Sequence, residues 1–104
     1  MWCKLSESNT NRRKYVIYPY IDSEYHSGYI VAEKYDGYWN IELMHIVPQD
    51  RRKGYGSYLL KYVMNDLKGI IVTHPTTTEA LNFFQKHNFI CGFRNKLFLY
   101  YHNT

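Results

Sequence analysis

Cysteine is scarce in this chain: only Cys3 and Cys91 occur in 104 residues, without metal-ligand spacing. That pattern argues against a disulfide framework and a cysteine-built metal site, and both are read as reduced thiols, Cys91 within a strand. Long apolar runs are absent too; none approaches the roughly 20 residues of a membrane span. The N-terminus has no signal-peptide pattern. The expectation is a cytoplasmic protein without a membrane partner or a metal. Repeats and low-complexity linkers are also missing, and the length leaves no room for a second domain. Acidic residues are outnumbered, 9 against 13 Lys and Arg, for a formal charge of +4. This is a mild bias toward anionic partners. Arg12-Arg13-Lys14 reads as a solvated lead-in rather than a nucleic-acid arm.

Tyrosine is abundant, with 12 in the chain. It suits half-buried strands and contact surfaces. The most informative stretch runs from Ile41 to Leu60, IELMHIVPQDRRKGYGSYLL. A strand enters Pro48, a basic turn follows, then Gly54-Tyr55-Gly56, then an amphipathic helix. A helix start offers unpaired N–H groups and the positive end of its dipole. The glycines let the backbone approach a ligand closely, and Arg51, Arg52 and Lys53 add charge. That combination suits a phosphate. It is no Walker loop, and Leu59 stands where a dinucleotide fingerprint needs its third glycine.

The spacing of apolar residues and turns predicts the remaining elements. Residues 1–13 read as a loose lead-in and 14–104 as one domain. Strands are expected over 14–21, 28–35 and 38–47, the last two joined by a type I′ turn at Asp36-Gly37. A helix is expected over 54–68, stopped by Gly69, then a strand over 70–73. Thr76 and Glu79 form a capping box for a second helix through His87, which Asn88 ends. Strands over 89–93 and 97–102 then make a hairpin across Arg94-Asn95-Lys96.

Arg51-x-x-Gly54-x-Gly56 after a strand resembles motif A of the GCN5-related N-acetyltransferases, which cradle the pyrophosphate of acetyl-coenzyme A. The segment Ala80-Leu81-Asn82-Phe83-Phe84-Gln85-Lys86-His87-Asn88-Phe89 is similar to a second signature of that family, A-x-x-F-Y-x-K-x-G-F. The resemblance covers about residues 14–102. It implies an α/β (α+β) fold with a mixed, mostly antiparallel sheet, order ββ(β)-α-β-α-β-β, and splayed central strands. It also implies that Met44, Ile46 and Val47 hold the pantetheine by backbone groups. Arg51, Arg52, Lys53, Gly54, Tyr55, Gly56 and Ser57 would take the phosphates, and Phe84 would pack on the pantetheine arm. The family's helices after its first strand are missing here, or reduced to residues 22–26. An open acceptor site follows, suited to a macromolecule, unless a homodimer partner supplies the wall.

Amine acetylation needs a fixed thioester, a neutral amine and a stabilised leaving group. Glu42 is the candidate base, expected to share a face with Asn40, Met44 and Ile46 and to have its pKa raised by burial. A solvent-side surface pair is the competing reading. His45 points the other way by parity and reads as structural. His74 is a second candidate base, or a loop histidine at a helix start. Phe84 stands where the family places a tyrosine acid, so Tyr100 or Tyr101 substitutes, or water protonates the thiolate. The resemblance implies an acetyl-CoA-dependent N-acetyltransferase acting on a protein lysine or N-terminus. The alternatives are a non-catalytic acyl-CoA-binding or protein-interaction module, and an enzyme acetylating an aminoacyl-tRNA.

Overall fold

The computed structural model describes residues 1–93 and 97–103. Seven strands form one sheet in the order β1-β2-β3-β4-β5-β7-β6. They are β1 (Trp2–Ser8), β2 (Arg12–Tyr18), β3 (Gly28–Tyr35), β4 (Tyr38–Ile46), β5 (Gly69–Thr73), β6 (Ile90–Phe93) and β7 (Leu97–Asn103). Two helices, α1 (Tyr55–Asp66) and α2 (Thr78–Lys86), connect β4 to β5 and β5 to β6. All neighbours are antiparallel except β4 and β5. The expected fold class holds.

Both crossovers step the same way along the sheet, so their right-handed sense puts both helices on one face. Leu59, Leu60 and Val63 of α1 and Phe84 of α2 pack there with Tyr15, Ile17, Ile30, Trp39, Ile41, Ile71 and Leu99. Among the described residues no helix lies on the other face; residues 19–27 form bends and turns.

The loose lead-in is corrected: Trp2–Ser8 is an edge strand paired antiparallel to β2. Its polar sequence hides it, because the ladder with β2 rather than an apolar stripe holds it. β2 ends at Tyr18, before Pro19. The turn at Asp36-Gly37 is not type I′, since only Gly37 has positive φ, at 89°. α1 ends at Asp66, where Leu67 turns extended, and the Asn103 amide takes the freed carbonyls of Met64 and Leu67, both at 2.5 Å. Asn88, at φ 72°, ends α2 as expected. The hairpin reading across 94–96 lies outside the described residues.

Tyr15 ties the sheet to α1. Its ring is fully buried and its hydroxyl donates to Asp66 Oδ2 at 2.5 Å, while Arg13 Nη1 donates to the same oxygen at 3.0 Å. Tyr15→Phe leaves that carboxylate with the arginine alone. The expected loss is about 1–3 kcal/mol, read from urea unfolding.

Candidate active site

The parallel ladder of β4 with β5 covers only Tyr38–Ile41 against Ile70–Thr73, and β4 continues to Ile46 without that neighbour. The break coincides with a bulge. Ala32 pairs with Ile41 but Val31 pairs with Leu43, leaving Glu42 as the extra residue. Beyond the bulge parity flips. Trp39 and Ile41 face the core before it; Met44 and Ile46 pack against the core after it. Glu42 therefore shares the helix-free face with Asn40 but not with Met44 and Ile46, which corrects the expected alternation.

Backbone bonding follows the same register. Val47 N–H donates to Ser27 O at 2.8 Å, and Val47 O accepts from Asp50 N–H at 3.0 Å. Antiparallel alternation then turns Leu43 and His45 toward β3, and the N–H and C=O groups of Met44 and Ile46 toward the gap. Arg51 Nε donates to Ile46 O at 2.8 Å. The Met44 groups and the Ile46 N–H are left for a ligand. Val47 was expected to offer such a group, but both of its own are engaged.

A 3₁₀ turn at Pro48–Asp50 leads from β4 toward α1. Arg52 and Gly54 follow at φ 61° and 87°. Left-handed residues in such a turn aim successive N–H groups into one concavity, and only glycine adopts that backbone without strain. Gly54 is the N-cap of α1 and supplies no side-chain cap. The first helical bond is Tyr58 N–H to Gly54 O at 3.0 Å. The N–H groups of Tyr55, Gly56 and Ser57 thus have no intrahelical partner. This start adjoins a cleft of about 1110 Å³ between the end of β4, the basic turn and α2.

The cleft brings together Met44, Ile46, Arg51, Arg52, Gly54, Gly56, Ser57 and Phe84 from the expected set. Val47, Lys53 and Tyr55 are not in its wall, and Lys53 instead lies 4.0 Å from Asp50. The expectation missed Glu79, Asn82, Phe83 and Lys86, which turn one face of α2 to the cleft. Their spacing of i, i+3, i+4 and i+7 is legible in the sequence. The cap of α2 is Thr77, whose Oγ1 accepts from Ala80 N–H at 3.0 Å, so the Thr76–Glu79 box does not form. A Cβ on Gly56 would touch Met44 Cε at 3.4 Å and Phe83 Cζ at 3.5 Å. Backbone and cleft meet closely there.

Ser57 Oγ lies 2.9 Å from His87 Nε2, joining the start of α1 to the end of α2. Burial, aided by Lys61 and Lys86, holds the His87 pKa below its ordinary 6.5. The unfolded chain therefore binds this proton first as pH falls. The contribution to stability is complete above pH 6.5 and is lost as pH drops from there toward the folded value. In His87→Gln, the difference between urea midpoints at about pH 7.5 and about pH 5.5 is expected to shrink.

Glu42, His74 and Tyr100 all lie outside the cleft wall. Glu42 Oε1 accepts from Asn40 Nδ2 at 3.0 Å and from Tyr35 Oη at 2.7 Å. These bonds, Asn40 first, and the charges of His74 and Arg12 hold its carboxyl below the ordinary range; Tyr35 is pushed up to about 12. The expected rise for Glu42 is thus reversed, because hydrogen bonding outweighs burial. His74 follows the end of β5 and packs 6.4 Å from Phe98. Tyr101 packs against Phe89 on the core side, at 5.7 Å, while Tyr100 lies on the opposite face.

The sequence model described as an Acetyltransferase (GNAT) domain matches residues 13–91. No curated protein matches the chain. Among solved structures, the fold is similar to a GNAT-family protein from Bacteroides thetaiotaomicron, with TM-score 0.71 and 21% identity over 90% of this chain and 63% of that one. Tetrahymena GCN5 gives 0.73 and 13% over 92% and 71%. Arabidopsis thaliana NAA60, solved with a bisubstrate analogue, gives 0.70 and 16% over 88% and 75%. At these identities the structural likeness concerns the fold, and the chain spans less than two thirds of the Bacteroides protein.

Proposed function

From the premise that this chain belongs to the GNAT acetyltransferase family, we propose that it is an N-acetyltransferase moving an acetyl group from acetyl-coenzyme A to an amine on a protein. The observation that carries this reading is the convergence of uncapped amides on one cleft. The N–H groups of Gly56 and Ser57 lie at one end, and the free backbone of Met44 and Ile46 lies along the unpaired part of β4. The donors fit a diphosphate and the strand fits an amide-bearing arm. Acetyl-coenzyme A supplies an activated thioester when bound.

The chain's own residues do the rest. Arg51 and Arg52 add charge at the diphosphate, and Arg51 also braces the strand end through Ile46 O. Phe84 packs on the arm. Glu42 faces the helix-free side, where the acceptor enters. Asn40 and Tyr35 both bind its Oε1, leaving Oε2 to orient the amine and take its proton. The charge of His74 helps keep that carboxyl ionised, and solvent takes the proton from Glu42 in turn. Phe84 cannot donate a proton, and neither Tyr100 nor Tyr101 is in the cleft wall. Water therefore protonates the departing thiolate, a fair leaving group because a free thiol has a pKa near about 8.5.

The open acceptor side favours a lysine or N-terminus of a protein over a small enclosed amine. Incubation with acetyl-coenzyme A and lysine-rich proteins, followed by intact mass, tests the reading. A gain of one acetyl group with matching release of free thiol supports it. Tight coenzyme A binding without turnover favours an acyl-CoA-binding module instead.

A further inference from the structure

The helix-free face of the sheet carries an ordered row of rings. Trp2, Tyr18, His26, Tyr29 and His45 follow one another across β1 to β4 with centroids 5.4, 6.5, 6.4 and 5.8 Å apart. Register builds the row: Trp2 pairs with Tyr18, Lys4 with Val16, Val16 with Tyr29 and Tyr29 with His45. Lys4 Nζ lies 5.6 Å over the Tyr18 ring, and Lys14 Nζ lies 5.2 Å over Tyr29. Rings and lysine stems together cover Val16 and Val31, only 3% and 2% exposed although no helix lies above them.

The charge of this row is net positive: Lys4 and Lys14 share the face with one carboxylate in register, Glu7 opposite Lys14. Among the described residues neither Lys4 nor Lys14 forms an ion pair, whereas Arg12, further along β2, is matched by Glu33 at 2.9 Å. A second copy of this chain seated on the row would bring the same net positive charge against it. An acidic protein would answer the charge and leave the rings without a matching partner. A polymer that alternates flat apolar rings with phosphates answers both.

We propose that this aromatic–lysine row binds single-stranded nucleic acid, with bases against the rings and phosphates against Lys4 and Lys14. The row lies on the face opposite α1 and α2, and only His45 also borders the cleft. The inference goes beyond the transfer reaction and stands without it.

The test uses the intact chain. Trp39 is buried at 6% exposure while Trp2 is half-buried within the row, so Trp2 fluorescence reports contact. Oligo(U) of about 12 nucleotides is titrated from about 50 to about 200 mM salt. Saturable quenching that weakens with salt is expected. Lys4→Gln with Lys14→Gln should flatten the plot of log K against log salt by about 1.4, at about 0.7 per phosphate on a single strand. Trp2→Phe should abolish the quenching while a labelled oligonucleotide still binds. Excess coenzyme A should leave binding unchanged.

Three results would overturn the proposal. One is no oligonucleotide binding at the lowest salt, whether the face is free or closed in a dimer seen by sedimentation. Another is an unchanged salt slope in the folded double variant. The third is displacement by coenzyme A, which would put the nucleic acid in the cleft.

Discussion

Gly56→Val is expected to weaken coenzyme A binding by about 100-fold or more, a loss of about 2.8 kcal/mol. A bare Cβ at this position already reaches van der Waals contact with Met44 Cε and Phe83 Cζ, at 3.4 and 3.5 Å. A branched side chain adds two methyl groups where the strand end and α2 already meet. It also stands over the free N–H groups at the helix start, the groups a diphosphate would replace water upon. Gly56→Ala fits within those contacts and should cost only a few-fold. That graded pair separates closure of the cleft from damage to the helix. Calorimetry with coenzyme A reads the affinity, and urea unfolding of each variant checks that α1 persists.

Glu42→Gln should reduce turnover by about 10²- to 10⁴-fold while leaving coenzyme A affinity unchanged. Glu42 lies outside the cleft wall, so the amide costs no contact with the donor. It removes the carboxylate that orients the amine and receives its proton. The pH profile carries a second signature. Asn40 and Tyr35 hold the Glu42 carboxyl low, so it stays ionised until pH falls through that depressed value. Its acid limb should lie below the ordinary carboxylate range, and Tyr35→Phe should move that limb upward. If Glu42 serves only as a surface group, neither the turnover nor the limb moves.

Much of the cleft was legible because it depends on local rules. A strand ending at proline, two glycines and an amphipathic helix specify a strand-to-helix turn with free amides, and Gly54 at φ 87° occupies it. The position of Asn88 likewise followed from the left-handed preference of asparagine. What was not legible depends on pairing between distant segments. Trp2–Ser8 lacks an apolar stripe, so only its ladder with β2 makes it a strand. The bulge at Glu42 leaves no mark in composition, yet it reverses which side chains of β4 meet the core. The sign of the Glu42 shift depends on Tyr35, seven residues away across the hairpin turn. In Thr76-Thr77-Thr78 every residue is a competent cap, so residue type alone does not single out Thr77, the one that caps α2.

The most direct measurement follows the backbone amide signals of nitrogen-15-labelled protein during a coenzyme A titration. Coenzyme A should shift the signals of Gly54, Tyr55, Gly56 and Ser57 most strongly, with Met44 and Ile46 next, while the amides of β1 stay in place. If the Gly54–Ser57 signals remain still at saturating coenzyme A, or the shifts gather on the helix-free face, the helix start does not grip the diphosphate and this cleft is not the coenzyme A site.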